Sequence, residues 1–224
     1  MKMKKYKAVI TDFDLTIADT AALIEECLYT NAARFGYDLD RKILRDGIGM
    51  TAESIYLDAG CSAPEAKRLH DEYIPYSADI MREKTELYPG VTEGLAALHA
   101  KGILLSVLSL KASDQIWRPL ERAGVDKYIH SVISPDEVEK HKPEPDGIFY
   151  LAEQTGIALE DILYVGDSVT DMKTALNAGV DFAAVCTGAV TADQFAEMGA
   201  KMIYPTFAEM CRAIQNNQHF VRTN

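Results

Sequence analysis

Two aspartates close a short apolar run near the amino-terminus. Ala8–Ile10 is apolar at every position, which is the pattern of a central parallel strand covered on both faces. Asp12 and Asp14 follow at once, and side chains two residues apart on an extended segment point the same way. Open α/β sheets bind ligands beyond the carboxyl ends of their strands, and neighbouring carboxylates repel unless a cation offsets their charge. The pair therefore predicts a ligand site with a divalent ion; a solvated turn or a helix cap is the alternative.

Three later strands are also followed by polar residues that can take part in catalysis or bind a ligand. Because parallel strands end at the same edge of a sheet, we expect these side chains to lie near the two aspartates. Taken singly, each residue also has a structural interpretation. Ser109 is compatible with an ordinary strand end, Lys142 with an exposed loop and Asp171 with a helix cap. Their joint presence at strand ends favours function. The strands and their residues are Ile103–Leu108 with Ser109, Tyr128–Ile133 with Lys142, and Ile162–Val165 with Asp167 and Asp171.

The spacing of apolar residues divides the chain into a helical insert and an alternating remainder. Helical patterns fill about seventy residues after Thr16, and the turn signal Tyr88–Gly90 ends them. Strands and helices alternate from there, which predicts an α/β fold with a doubly wound parallel (Rossmann-like) sheet. We expect a core domain of residues 1–16 and 86–224 and an inserted α-helical cap domain of residues 17–85. Predicted cap helices cover about 21–35, 41–44, 53–59 and 64–81, and a helix opened by residues 140–145 is expected in the core.

Composition excludes several classes of partner. The formal charge of −11 and the pI near 4.9 argue against nucleic acid and against an anionic membrane, because both attract basic surfaces. The four cysteines are far apart, without the paired spacing of a metal site, so we expect free thiols and a cytoplasmic protein. The lysines of residues 1–5 have the charge of a signal peptide, but the apolar run behind them is short.

The four motifs that contain these residues, in their order along the chain, resemble those of the haloacid dehalogenase-like (HAD) superfamily. The resemblance is strongest to its phosphatases with a helical cap after the first strand. The resemblance extends from Lys7 to about Gly188. Two positions depart from the family pattern: Leu15 stands where glycine is usual, and Leu110 where many relatives carry asparagine. Asp14 is present, which argues against the dehalogenases of the superfamily and against its phosphonate-cleaving members. The motifs are Asp12-Phe13-Asp14-Leu15-Thr16, Ser109, Lys142-Pro143 and Gly166-Asp167-Ser168-x-x-Asp171.

The resemblance implies a phosphatase that works through an aspartyl phosphate. Asp12 is then the nucleophile, and Asp14 protonates the leaving oxygen and later activates water. Ser109 donates a hydrogen bond to a phosphoryl oxygen. Lys142 offsets charge on the phosphoryl group and on Asp12.

The resemblance also implies Mg²⁺ as cofactor. The ion is expected on the Asp12 and Asp167 carboxylates and on the main-chain carbonyl of Asp14. Asp171, one helical turn after Asp167, is expected to hold a water ligand of the ion or to orient Lys142.

The substrate predicted from the resemblance is a small phosphorylated metabolite, most similar to that of phosphoglycolate phosphatases. Ser109-Leu110-Lys111 matches the second motif of that group, and the cap is expected to select the substrate. Arg41 or Arg45 is a candidate for a substrate carboxylate, although an exposed surface role is favoured. For Tyr73 and Tyr76 we favour packing within the cap over contact with the ligand.

Two other functions are compatible with these motifs. A phosphomutase of the β-phosphoglucomutase type uses the same residues and returns the phosphoryl group to a sugar. A phosphate-binding regulatory module without catalysis is the second, although such a module is expected to lack at least one of the acidic or lysine residues. The sequence leaves the oligomeric state open between monomer and homodimer.

Overall fold

A computed structural model describes residues 4–216 of the chain. Residues 1–3 and 217–224 lie outside the described residues, and with them part of the amino-terminal segment that was compared with a signal peptide. Within the described part, no helix is long and apolar enough to cross a membrane.

Six parallel strands form the main sheet, and two short strands form a separate antiparallel ribbon. In chain order the strands are β1 (Ala8–Thr11), β2 (Ala18–Asp19), β3 (Glu86–Leu87), β4 (Leu104–Leu108), β5 (Ile129–Ile133), β6 (Ile162–Gly166), β7 (Asp181–Val185) and β8 (Met202–Tyr204). The spatial order of the main sheet is β5-β4-β1-β6-β7-β8, and β2 pairs with β3. The first strand is therefore central, and its neighbours β4 and β6 are those that precede Ser109 and Asp167.

The apolar character of β1 follows from packing on both faces. Val9 belongs to one hydrophobic cluster, whereas Ala8 and Ile10 belong to another on the opposite face. All three are at most 1% exposed. A strand that is covered on both sides has no solvent-facing position, which explains why its sequence does not alternate.

Helices cover both faces of the sheet, which confirms the predicted doubly wound α/β fold. In chain order they are α1 (Ala21–Arg34), α2 (Arg41–Asp46), α3 (Ala52–Asp58), α4 (Ala63–Lys84), α5 (Val91–Ala100), α6 (Asp114–Arg122), α7 (Asp146–Thr155), α8 (Val169–Ala178), α9 (Ala192–Glu197) and α10 (Phe207–Gln215). Side chains of α5, α6 and α10 pack with Val9. Side chains of α7 and α8 pack with Ile10.

The four helices α1–α4 have a hydrophobic cluster of their own, which includes Leu28, Leu44, Tyr56 and Leu69. Glu25 of α1 is only 5% exposed and forms ion pairs with Arg41 and Arg45 of α2. The two arginines therefore link α2 to α1 and offset the charge of a buried carboxylate. Neither is among the residues that line the cavity described below.

Several predicted boundaries were wrong in detail. The ribbon of β2 and β3 was not predicted, since a strand of two residues has no periodicity to detect. The predicted strand from Tyr128 begins at Ile129, because Asp126–Tyr128 forms a 3₁₀ turn. Residues 140–145 lead into α7, which begins only at Asp146.

Candidate active site

The six predicted site residues lie together at the carboxyl edge of the main sheet. Asp12, Asp14, Ser109 and Lys142 line one cavity. Carboxylate oxygens of Asp12, Asp167 and Asp171 lie within 4.8 Å of one another. Four segments that are distant in sequence supply these residues, and the parallel arrangement of β1, β4 and β6 brings three of the segments together.

Lys142 is buried between two carboxylates. Its Nζ lies 2.9 Å from Asp12 Oδ1 and 2.9 Å from Asp171 Oδ1, and its side chain is 4% exposed. Burial by itself disfavours the charged ammonium, but the charges of Asp12 and Asp171 outweigh it and raise the Lys142 pKa above its ordinary value. Lys142 is therefore a fixed positive charge at the Asp12 carboxylate.

Asp171 is both a helix-capping residue and the partner of Lys142. Its Oδ2 accepts hydrogen bonds from the Ser168 main-chain N–H (3.1 Å) and hydroxyl (2.5 Å), while Ser168 accepts the Asp171 N–H at the start of α8. Its Oδ1 accepts the Tyr164 hydroxyl (2.8 Å) as well as the Lys142 ammonium. Of the two roles that the resemblance implied, the geometry therefore favours orientation of Lys142.

The cluster of Asp12, Asp167 and Asp171 can hold a divalent cation. Burial, followed by the charges of Asp171 and other neighbouring carboxylates, raises the Asp12 pKa to about 7 against the effect of Lys142. The Asp167 pKa is raised well above its usual range, first by burial and then by Asp171 and Asp12. Thr16 Oγ1 donates to Asp167 Oδ1 at 2.8 Å. Buried carboxylates with this excess of negative charge fit a hard cation with oxygen ligands, such as Mg²⁺.

Ser109 and Lys111 extend the site away from this cluster. The Ser109 main-chain N–H donates to the Ile133 carbonyl (3.1 Å), and the Lys111 N–H donates to Ser109 Oγ (3.3 Å). The side chain of Lys111 is 8% exposed, and its Nζ lies 3.3 Å from Asp14 Oδ1 without the geometry of a hydrogen bond. The sequence indicates Lys111 only as part of a motif, whereas the contact with Asp14 gives this lysine a position in the site.

The cavity lies between the cap helices and the carboxyl edge of the sheet, with a volume of about 170 Å³. Apolar side chains of α1, α3 and α4 form the cap wall. Gly49 lies close to Ser168 of the core, since a Cβ atom at Gly49 would be 3.6 Å from the Ser168 side chain. Tyr73 lines the cavity, although we favoured a packing role for it, and it also packs against the cap cluster. Tyr76 does not line it and packs in the cap beneath Arg34.

Gly188 is a site residue that the sequence analysis missed. A Cβ atom at this position would lie 1.9 Å from Asp167 Oδ2, so only glycine leaves room for the carboxylate where it stands. No motif indicated this contact, because Gly188 follows β7 and reaches Asp167 only in the folded chain. Thr16 and Tyr164 were missed as partners of the acidic cluster for the same reason.

Fold and site together define an α/β enzyme with a helical cap above a cavity that contains carboxylates and lysines. The family model described as haloacid dehalogenase-like hydrolase matches residues 9–185, and the chain belongs to this family. The phosphoglycolate phosphatase of Nitrosococcus oceani is 30% identical over 82% of this chain and 84% of that protein. The N-acetylmuramic acid 6-phosphate phosphatase of Pseudomonas aeruginosa is 28% identical over 91% of this chain and 92% of that protein.

Solved structures agree with the family assignment. A haloacid dehalogenase-like hydrolase of Bacteroides fragilis has a TM-score of 0.85 and 29% identity, and the match covers 92% of this chain and 100% of that one. The predicted fold, family and enzyme class are confirmed: the chain is a phosphoric monoester hydrolase of the haloacid dehalogenase-like type.

Proposed function

We propose that this enzyme hydrolyses a small phosphate monoester in a magnesium-dependent reaction through an aspartyl phosphate on Asp12. The observation that carries the proposal is the buried contact of 2.9 Å between Lys142 Nζ and Asp12 Oδ1, in a cavity that Asp14 also lines. It supplies a carboxylate nucleophile with a fixed cation beside it and an acid nearby.

In the first step, an oxygen of the Asp12 carboxylate attacks phosphorus. The new O–P bond forms as the bond between phosphorus and the leaving oxygen breaks, and Asp14 gives its proton to that oxygen. In the second step, Asp14 takes a proton from water, whose oxygen bonds to phosphorus while the Asp12–phosphorus bond breaks. Inorganic phosphate leaves, and both aspartates return to their initial states.

Ser109 and Lys142 stabilise the phosphoryl group as it is transferred. The Ser109 hydroxyl accepts the Lys111 N–H, which leaves its proton available for a phosphoryl oxygen. Lys142 needs no rearrangement to offset the developing charge, because Asp171 already fixes its ammonium.

Mg²⁺ would be held by the carboxylates of Asp12 and Asp167 and by the main-chain carbonyl of Asp14. The Asp171 carboxylate lies within 4.8 Å of the other two carboxylates. When bound, the ion supplies charge neutralisation and fixes the orientation of the phosphoryl group. Thr16 and Gly188 position Asp167 for this role, through a hydrogen bond and through the space left by a missing side chain.

We further propose a small substrate similar to phosphoglycolate. Two relatives support this, since phosphoglycolate and N-acetylmuramic acid 6-phosphate, which their names give, each combine a phosphate ester with a carboxyl group. The cavity of about 170 Å³ lies below the roughly 300–1,000 Å³ of pockets for drug-sized ligands. Of the two, its size favours the smaller leaving group.

The test is phosphate release from a panel of esters that includes phosphoglycolate, pyrophosphate, sugar phosphates and nucleotides, with Mg²⁺ and then with a chelator. We expect strong, magnesium-dependent release from one or two of them. Asp12→Asn should lower kcat at least about 1,000-fold, because the amide keeps the volume but is a poor nucleophile. Asp58→Asn, in an exposed part of α3, is the matched control and should retain full activity.

Near-wild-type activity of Asp12→Asn would contradict the assigned nucleophile. Conversion of glucose 1-phosphate without phosphate release would identify a phosphomutase instead.

A further inference from the structure

Two buried lysines face the cavity, and their surroundings differ. Lys142 is held by two carboxylates at 2.9 Å. Lys111 Nζ has one acidic neighbour, Asp14 Oδ1 at 3.3 Å, and the contact lacks hydrogen-bond geometry. Among residues 4–216, no side chain or carbonyl accepts a hydrogen bond from this ammonium. An ammonium has three donors, and burying it without acceptors is unfavourable. Lys111 therefore retains donors for a ligand.

Lys111 lies on the side of the cavity that is proposed to receive the leaving group of the substrate. Its main-chain N–H bonds to Ser109 Oγ, the proposed donor to the phosphoryl group, while its ammonium reaches Asp14, the proposed acid for the leaving oxygen. The Lys111 ammonium is thus on the leaving-group side of the reacting bond.

Apart from Lys111, Asp12, Asp14, Lys142 and His70, the described residues that line the cavity are uncharged, although Tyr73, Ser77 and Gln115 are polar. Ile24, Leu28 and Ile55 of the cap are apolar, and they line the cavity together with His70, whose buried Nδ1 has no hydrogen-bond partner in the described chain. One ammonium and one unpartnered imidazole nitrogen in a largely apolar wall suit a ligand with one anionic group. A second phosphate would bring up to two negative charges to a single ammonium, which already has the Asp14 carboxyl group 3.3 Å away.

We propose that Lys111 is a specificity-determining residue that binds a carboxylate on the leaving group of the substrate. The preferred substrates are then phosphate monoesters of small hydroxy acids. This inference rests on the proposed function, because it uses Asp14 and Ser109 to define which side of the cavity receives the leaving group.

The test compares 2-phosphoglycolate with 2-hydroxyethyl phosphate, which have similar size but differ in the anionic group. In the wild-type enzyme with Mg²⁺, we expect kcat/KM to favour 2-phosphoglycolate by about 10- to 150-fold, the factor that a charge-assisted hydrogen bond provides. In Lys111→Met, a neutral side chain of similar length, this ratio should fall to nearly one, whatever the absolute activity. Lys140→Met, at an exposed lysine near Lys142, should leave the ratio as it is in the wild type.

A wild-type ratio near one, or an unchanged ratio in Lys111→Met, overturns the role of Lys111 and leaves the proposed phosphatase function intact. Preference for ethylene glycol bisphosphate over 2-phosphoglycolate overturns the assignment to a carboxylate.

Binding to the Asp12→Asn variant with Mg²⁺, measured by calorimetry, tests the subsite without turnover. If no ester is cleaved, the proposed function fails. Tighter binding of 2-phosphoglycolate than of 2-hydroxyethyl phosphate would still support the carboxylate site at Lys111, provided that Lys111→Met abolishes the difference. Equal dissociation constants for the two esters contradict it.

Discussion

Leu15 adopts a left-handed backbone conformation, with φ of 57°, at the position where family members usually have glycine. This conformation costs an L-residue about 1–2 kcal/mol. The side chain is 4% exposed and packs in the cap cluster, and loss of a buried leucine side chain costs about 2–5 kcal/mol. The packing of the Leu15 side chain contributes more free energy than the left-handed backbone costs, which explains why leucine is tolerated at this position.

We predict an unusual order of stability for substitutions of Leu15. Leu15→Ala should lower the free energy of unfolding by about 2–5 kcal/mol, because it loses packing and keeps the strain. Leu15→Gly loses the same packing but relieves the strain, so it should be the more stable variant by about 1 kcal/mol. Denaturant unfolding of both variants measures the difference.

The matched control is Leu28, which is fully buried within α1. There the order should be reversed, with Leu28→Gly about 1 kcal/mol less stable than Leu28→Ala, because glycine is unfavourable in a helix. The same order at both positions would contradict the strain at Leu15.

The raised pKa of Asp12 predicts how pH affects the metal-free protein. The Asp12 pKa is about 7 in the fold and about 3.9 in an unfolded chain. Between these values the folded state binds more protons, so the stability of the chelated protein should fall as pH rises from about 4 to 7. Magnesium competes with these protons, and its stabilising effect should therefore increase over the same range.

Thermal unfolding at pH 5.5 and pH 8, with Mg²⁺ or with chelator, checks this expectation. The rise in Tm with Mg²⁺ should be larger at pH 8. An equal rise at both values would show that protonation of the acidic cluster does not compete with the ion.

At the scale of elements, the ends of β1 and β6 and the loop after β7 together form the acidic site. Gly188 belongs to that loop, and its missing side chain leaves the space that the Asp167 carboxylate occupies. The loop is thus a structural part of the site, although it contributes no functional group of its own.

Gly188→Ala should displace the Asp167 carboxylate without unfolding the protein. We expect the Mg²⁺ concentration for half-maximal activity to rise by about 10- to 100-fold, the usual cost of disturbing the groups around a metal site. Gly102→Ala is the control, since Gly102 has φ of 74° and a Cβ there would meet none of the described residues beyond its chain neighbours within 4 Å. It should lower stability through backbone strain and leave the Mg²⁺ dependence unchanged. Equal Mg²⁺ dependence in both variants would contradict the role of Gly188.

At the scale of the whole molecule, the cavity is formed by two groups of elements with separate hydrophobic clusters. We propose the division into a core of residues 1–16 and 86–224 and a cap of residues 17–85. The separate cap cluster and the position of the β2–β3 ribbon beside both boundaries support it. Polar contacts join the proposed cap to the proposed core. Arg82 of α4 forms an ion pair with Asp114 of α6, and Arg122 of α6 donates hydrogen bonds to the main-chain carbonyls of Arg82 and Thr85.

We predict that cap and core close over the substrate, since an aspartyl phosphate must be shielded from unwanted water and Asp14 must meet the leaving group. Small-angle scattering should give a smaller radius of gyration with Mg²⁺ and a phosphate mimic than without ligand. The Asp12→Asn variant under chelation is the control and should show no change. Identical curves for the wild-type protein in both states would count against a large motion.

The amino-acid sequence was sufficient to predict the fold class and the edge of the sheet at which the six candidate residues meet. Strands covered on both faces are recognisable from continuous apolar runs, and parallel strands must end at one edge, so residues that follow Ile10, Leu108 and Val165 were expected to meet. The positions of Asp12, Ser109 and Asp167 could therefore be predicted without coordinates.

The folded chain was needed to establish how these residues are used and what surrounds them. The resemblance implied that Lys142 acts beside Asp12 and that Asp171 either orients Lys142 or holds a water ligand, but only the tertiary structure places the Lys142 ammonium 2.9 Å from both carboxylates. The pairing of Glu25 with Arg41 and the contact of Lys111 with Asp14 have no local signal. Such contacts depend on loop paths and helix packing, in which segments distant along the chain meet at distances of a few ångströms, and sequence periodicity does not encode those distances.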